Sequence, residues 1–205
     1  MSRRPAPAPR QHGVAAVEFA LLLPILLMLL FGMMDAGRAL QANIILTSIS
    51  REGANLVARG TAPLETSSQD VIYALMASAP PLNVNQQGMM YITRVMGVVT
   101  AGVSRSVVLD QYRWDDAARN LGFRVNAYQP DSKAYDCTAW NNGACTSINS
   151  LLRPSTTIMD GKLQDGEVVY VVESFYRYDM LVTGAATAAL KLPTIGPDLY
   201  SMTVL

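Results

Sequence analysis

A long apolar run near the start of the chain constrains its fold more than any other feature. The run reads VAAVEFALLLPILLMLLFGMM from Val14 to Met34 and contains one charged residue, Glu18. A helix of this length would extend for about 31 Å, which matches the ~30 Å hydrocarbon core of a bilayer. We therefore predict a membrane-spanning helix over residues 14–34, with the lipid bilayer as an expected partner.

The residues before this run predict its orientation. Arg3, Arg4 and Arg10 are basic, no acidic residue lies among them, and three prolines keep the segment out of a helix. Under the positive-inside rule, this segment stays in the cytoplasm and the chain after Met34 lies on the other side of the membrane. The sequence thus predicts a single-pass protein with a cytoplasmic N-terminus.

A cleaved signal peptide and a plain anchor are the alternative interpretations of the apolar run. A signal peptide has an apolar stretch of roughly 7–15 residues that ends at an A-x-A-like site. The run is longer here, and it continues into Asp35 and Arg38 without such a site. A plain anchor explains the length and orientation but not Glu18, because an ionisable group in a membrane helix is costly and usually marks a function.

Glu18 is the fifth residue after Gly13, and Phe19 follows it. A basic leader, a glycine, four apolar residues, a glutamate and an aromatic residue resemble the start of a type IV pilin-like precursor. The resemblance implies that a prepilin peptidase, a membrane-bound aspartyl peptidase, cleaves between Gly13 and Val14. It also implies that Glu18, next to Phe19, sets the subunit register, because its carboxylate can pair with the Val14 ammonium group of a neighbouring subunit.

The resemblance extends beyond the cleavage site. The segment RQHGVAAVEFALLLPILLMLLFGMMDAGRAL, followed by SREGANLVARG, resembles the TadE-like family of tight-adherence (Tad/Flp) pilus pseudopilins over residues 10–60. The matching positions are Gly13, Ala16, Val17, Glu18, Phe19, Ala20, Pro24, Phe31, Gly32, Asp35, Gly37, Arg38, Arg51, Glu52, Gly53 and Ala54. General pilins favour Phe where this chain has Val14, which fits the Tad branch. The chain is also much longer than the major Flp pilin, which argues against a bulk filament subunit.

This resemblance implies a minor pilin or pseudopilin that takes part in assembly of a Tad (Flp) type IV pilus and supports adherence or surface colonisation. The expected location is the bacterial inner membrane, with a periplasmic C-terminal domain and incorporation into an extracellular pilus as an option. The expected partners are the prepilin peptidase, other pilins and pseudopilins, and the inner-membrane assembly platform. The alternative function is that of a permanently anchored extracytoplasmic binding domain without a pilus role.

Helical periodicity continues beyond the predicted span. Residues recur at three- and four-residue steps with polar residues between them, namely Leu40, Ile44, Ile45, Ile49, Gly53, Leu56 and Val57. Gly60 and Pro63 end this pattern. We predict one helix from about Val14 to Ala58, with an amphipathic C-terminal half that packs on a domain.

The rest of the chain predicts an α+β fold, in which an antiparallel β-sheet packs on the long helix. Residues 67–79 are predicted to be helical, and residues 89–99, 105–114 and 167–178 are predicted strands because they are rich in Val, Ile, Tyr and Met. The predicted segments are a leader at 1–13, a transmembrane helix at 14–34, its amphipathic continuation at 35–59 and an extracytoplasmic domain at 60–205.

Cys137 and Cys145 lie eight positions apart in a polar, Gly- and Asn-rich segment. A pair of cysteines outside the cytoplasm is expected to form a disulfide. A redox pair usually has C-x-x-C spacing, and a metal site lacks partners because the single histidine, His12, lies in the leader. We therefore predict a structural disulfide and no metal site.

Charge and composition exclude several classes of function. The 16 basic and 16 acidic residues give zero net charge, so no nucleic-acid partner is expected. Without a histidine after residue 13, neither a Ser–His nor a Cys–His nucleophile can form. The stretch from Asp160 to Glu167 has Lys162 where a calcium loop needs a ligand, and two tight turns explain it better. We predict that the chain is not an enzyme and binds no cofactor.

Overall fold

The computed structural model describes residues 12–60, 64–115, 128–149, 151, 153–180 and 197–205. These residues fall into two compact units. The boundary between the units lies on the first helix, between Arg38 and Ala39. The sheet and the remaining helices belong to the second unit.

Helix α1 extends from His12 to Arg59, close to the predicted bounds. Its 48 residues correspond to about 72 Å of helix at ~1.5 Å per residue. Pro24 lies inside α1, and the helix continues through it. The polar group that a proline leaves unpaired is tolerated in membrane helices, since neighbouring groups can satisfy it.

The second half of α1 is amphipathic, and its buried face agrees only in part with the predicted one. The buried positions are Ala42, Leu46, Ile49, Ser50, Gly53, Ala54 and Val57. Ile49, Gly53 and Val57 of the predicted set are buried, whereas Leu40 and Ile44 are 66% and 67% exposed and Leu56 is 46% exposed, so the predicted packing is wrong for these last three. The small residues Ser50 and Gly53 bring the helix backbone close to the sheet, and the larger Leu46, Ile49 and Val57 are buried beside them.

Two shorter helices follow. Helix α2 is Leu64–Ala77 and buries Ile72, Leu75 and Met76, in agreement with the helix predicted near this position. Helix α3, Val84–Gln87, is a single turn that leads into the first strand.

The sheet has seven antiparallel strands, and the fold class α+β is confirmed. The strands are β1 (Gly88–Thr100), β2 (Val103–Arg113), β3 (Trp140–Asn141), β4 (Ala144–Cys145), β5 (Ser155–Thr156), β6 (Val168–Arg177) and β7 (Asp198–Val204). Their order is β3-β4-β2-β1-β6-β7, and β5 pairs with β2. The three long strands at the centre of the sheet, β1, β2 and β6, correspond to the three strands that the sequence predicts.

A two-residue turn joins β1 to β2. Ala101 and Gly102 both have positive φ, at 52° and 79°, as a type I′ hairpin turn requires. Thr100 pairs with Val103 on either side of this turn, so the hairpin closes without a longer loop.

Both faces of the sheet are covered, which explains why β6 is buried along most of its length. On one face, Val172 and Ser174 point toward α1. On the other face, Val171 belongs to a buried cluster with Val95, Val169, Ala134 and Leu163. Ala134 and Leu163 lie in irregular segments after β2, so these segments cover this face of the sheet as a third layer.

Candidate functional site

The first half of α1 is exposed on every side in the isolated chain. All described side chains from Ala15 to Met34 are exposed, and Leu21, Met28 and Met33 are at least 70% exposed. The mean hydropathy of its most apolar 18-residue window is 2.4. Among the described residues, α1 is the one helix that is long and apolar enough to cross a membrane. An all-round apolar surface suits a lipid environment, whereas a helix on a soluble domain has a polar face.

The predicted cleavage and register residues all lie in this half of α1. Glu18 is exposed and sits one helical turn after Val14, and Phe19 is 60% exposed. Gly13 lies on the first turn of the described helix, while the leader before His12 falls outside the described residues. The structure therefore places these four residues on two consecutive turns, and the roles predicted for them stay predictions.

The exposed apolar half ends at an ion pair. Asp35 is 6% exposed, and its Oδ1 lies 3.8 Å from an Arg38 guanidinium nitrogen one turn later. Pairs at this spacing face each other along a helix. The first charged residues after the apolar run therefore lie where the predicted span ends.

The second half of α1 docks on the sheet through Gly53. A Cβ atom at this position would lie 2.9 Å from Leu75 Cδ1 and 3.2 Å from Val172 Cγ1. Both neighbours are buried, on α2 and β6 respectively. Gly53 therefore allows a close approach among three elements that a larger residue would prevent.

A match to a protein family covers both halves of this helix. Residues 13–55 match the family described as TadE-like protein. The resemblance to TadE-like pseudopilins is thus confirmed over this segment, which includes Glu18 in the apolar half and Gly53 in the docking half. No curated protein and no solved structure matches the chain.

The TadE-like match suggests a protein associated with the Tad pilus, and this family is not an enzyme family. Among the described residues, no group of three or more His, Cys, Asp or Glu side chains could hold a metal ion. The absence of enzymatic activity and of cofactors remains a prediction.

A buried hydroxyl beside the docking glycine was not identified from the sequence. Ser50 is fully buried on α1, and its Oγ lies 3.0 Å from the Leu46 carbonyl oxygen and 2.9 Å from Ser174 Oγ on β6. The hydroxyl thereby joins the helix to the sheet without leaving a polar group unpaired. Serine is too common on helices for its position alone to signal this contact.

No pattern in the sequence indicates that Glu173 anchors the irregular segment after residue 128. Glu173 on β6 is fully buried, and its carboxylate accepts hydrogen bonds from the Lys133 backbone N–H (2.9 Å), the Tyr200 hydroxyl (2.9 Å) and the Ser132 hydroxyl. Burial raises the pKa of the Tyr200 hydroxyl above its ordinary value, and the adjacent Glu173 carboxylate raises this pKa further. The carboxylate thus fixes the irregular segment after residue 128 to the sheet.

Cys137 and Cys145 form a disulfide in the structure, with their Cα atoms 6.0 Å apart. Cys145 lies on β4, and the residue before it on that strand, Ala144, pairs with Tyr112 of β2. The bond therefore links the anchored loop to the edge of the sheet, in agreement with the structural disulfide that the sequence predicts.

Proposed function

We propose that this protein is a minor pilin or pseudopilin that takes part in assembly of a Tad (Flp) pilus. The observation that carries the proposal is the match over residues 13–55. The matched segment contains two features. One is an exposed apolar helix in which Glu18 is the fifth residue after Gly13, and the other is a helix face that packs on a β-sheet domain. A plain membrane anchor needs the first feature but has no need of the glutamate.

In this proposal a prepilin peptidase cleaves after Gly13 on the cytoplasmic side. The new N-terminus is the ammonium group of Val14, at the membrane edge. The Glu18 carboxylate of a neighbouring subunit pairs with it, which offsets the cost of holding a charge in a low-dielectric environment. Only a correctly staggered pair of subunits satisfies both charges, so the pair sets the register.

The other half of the proposal concerns the compartment. The basic leader favours a cytoplasmic N-terminus, so the sheet domain lies in the periplasm. The Cys137–Cys145 bond fits an oxidising compartment of this kind. The domain would then meet partner pilins and the assembly platform from the periplasmic side, with the apolar helix in the inner membrane.

Mass spectrometry of the mature N-terminus tests the processing step. The proposal predicts that the protein isolated from cells begins at Val14 and that Gly13→Leu leaves the uncut precursor. Gly32→Leu is the matched control, since Gly32 lies in the same apolar helix and, among the described residues, no atom outside its own helical turns lies within 4 Å of its Cβ position. A wild-type protein that retains Met1, or begins near residue 40, would refute the proposal and favour a permanent anchor or a cleaved signal peptide.

A further inference from the structure

The outer edge of β7 presents a row of backbone groups. Tyr170 and Leu205 exchange two backbone hydrogen bonds, of 2.7 and 3.0 Å, at one end of the β6–β7 pair. In an antiparallel pair, residues bonded in this way alternate with residues whose backbone groups point to the other side. The N–H and C=O groups of Tyr200, Met202 and Val204 therefore point away from β6, and they have no hydrogen-bond partner within the part of the chain that the structure describes. Such a row is a template for a further strand.

The two edges of the sheet differ in how they are protected. The strands at the other edge, β3 and β4, have two residues each, and the disulfide holds β4 to the preceding loop. Strand β7 has seven residues and pairs with β6 without a register shift. From Leu199 to Leu205 it contains neither a charged residue nor a proline. Proteins usually shorten an edge strand, or give it charges, prolines or bulges, to prevent pairing with other chains. The β7 edge lacks these features and can accept a strand.

An exposed apolar flank of α1 faces the same side as this edge. The Ser50 hydroxyl lies 3.4 Å from the Ser201 carbonyl oxygen, so this side of the helix lies over β7. Gly53 contacts α2 on the other side of the helix. At about 100° per residue, Leu40 projects roughly 80° from Ser50 and roughly 140° from Gly53, and therefore lies on the β7 side. Leu40 is exposed, as is Ile44 further round the same flank, so a strand added beside β7 would meet apolar surface.

A second copy of this chain does not fit the β7 edge. Two identical edges meet about a two-fold axis, which makes their strands antiparallel. Ser50 contacts Ser174 on β6. Later along the helix, Gly53 faces Val172, which comes earlier along the strand, so the docked part of α1 runs antiparallel to β6 and parallel to β7. The docked helices of two paired copies would run in opposite directions, whereas copies anchored in one membrane run in the same direction. The occupant therefore belongs to a different chain, and this step alone rests on the proposed function.

We propose that β7 binds an extended, uncharged segment of another chain as the next strand of the sheet. The outward backbone groups of Tyr200, Met202 and Val204 pair with the segment, and these main-chain hydrogen bonds supply the affinity. Successive side chains of a strand point to opposite faces, so those on the α1 side lie beside Leu40 and are apolar. A charged segment is disfavoured, because β7 offers it no opposite charge from Leu199 to Leu205.

Fluorescence anisotropy with the full chain in lipid nanodiscs tests the proposal. The probe is a labelled heptapeptide of alternating threonine and valine. Its matched control has two adjacent prolines at the centre, which remove N–H groups from both edges of the peptide strand. We expect saturable binding of the probe, about tenfold or more tighter than that of the control. Absence of binding, or equal binding of the two peptides, would overturn the proposal. Cleavage after Gly13 is measured separately by mass spectrometry, so this proposal and the proposed function can fail independently.

Substitutions at Met202 locate the binding site. Met202→Pro removes an outward N–H but no hydrogen bond to β6, so the variant should fold, and the thermal midpoint checks this. Met202→Ala is the matched control, because it loses the side chain and keeps the N–H group. The proline variant should bind the probe about tenfold or more weakly than the alanine variant, and equal affinities would contradict pairing at this edge. Met202→Cys should stay monomeric under mild oxidation in proteoliposomes. A disulfide-linked dimer would show that a second copy occupies the edge and would also overturn the proposal.

Discussion

Gly53→Ala is the sharpest test of how the long helix docks on its domain. The added methyl group would lie 2.9 Å from Leu75 Cδ1 and 3.2 Å from Val172 Cγ1, closer than carbon atoms pack without displacement. Both neighbours are fully enclosed, so overpacking should cost about 2–3 kcal/mol, the upper part of the usual range. Alanine regains about 1 kcal/mol of helix propensity. The free energy of unfolding should therefore fall by about 1–2 kcal/mol.

Thermal unfolding of the full chain in detergent, followed by the fluorescence of the buried Trp114, measures this loss. The midpoint should fall by roughly 2–8 °C for a chain of this size. Gly37→Ala is the matched control, because Gly37 lies on the same helix and no atom of the described residues outside its own helical turns lies within 4 Å of its Cβ position. This variant should keep or raise the midpoint. A Gly53→Ala midpoint equal to that of the control would refute the close-approach argument.

Three further predictions follow from the domain. Glu173→Gln should lower the free energy of unfolding by about 1–3 kcal/mol, since the loop loses hydrogen bonds to a buried charge; the urea midpoint measures it. Replacing Cys137 and Cys145 with serine should cost about 2–3 kcal/mol by freeing the unfolded chain, whereas an unchanged midpoint would contradict a stabilising bond. Burial and the neighbouring Asp198 raise the pKa of Tyr128 to about 12, against about 10 when unfolded. The free energy of unfolding should therefore fall as the pH rises from about 10 to about 12, because the phenol of the unfolded chain loses its proton first. This fall should be smaller in Tyr128→Phe.

The parts of the fold that the sequence predicts well are those with strong periodicity. The apolar run before Met34 and the alternation in β6 each contain enough residues to determine the type of element. Strand β7 is not predicted from the sequence. Its seven residues mix polar and apolar types, and their pairing with β6 depends on partners distant in sequence.

The buried face of α1 could not be deduced from hydrophobicity alone. Leu40 and Ile44 are as apolar as the buried Leu46 and Ile49, yet they are exposed, because the helix approaches the sheet on the side that carries Ser50 and Gly53. Glu173 illustrates the same limit. Its burial depends on donors from a segment about 40 residues earlier, and no local pattern signals such a pairing.

The effect of Glu18→Gln on pilus assembly tests the central claim most directly. Glutamine keeps the size and hydrogen-bonding capacity of the side chain but cannot pair with a neighbouring Val14 ammonium group. Breaking a buried pair typically costs ~3–5 kcal/mol, and less near the membrane edge, where water is close. We predict normal insertion and cleavage after Gly13, with pilus output and cross-linking to partner pilins reduced about tenfold or more, while Glu52→Gln behaves as wild type. Normal processing together with normal piliation in Glu18→Gln would contradict the account and leave the helix as a plain anchor.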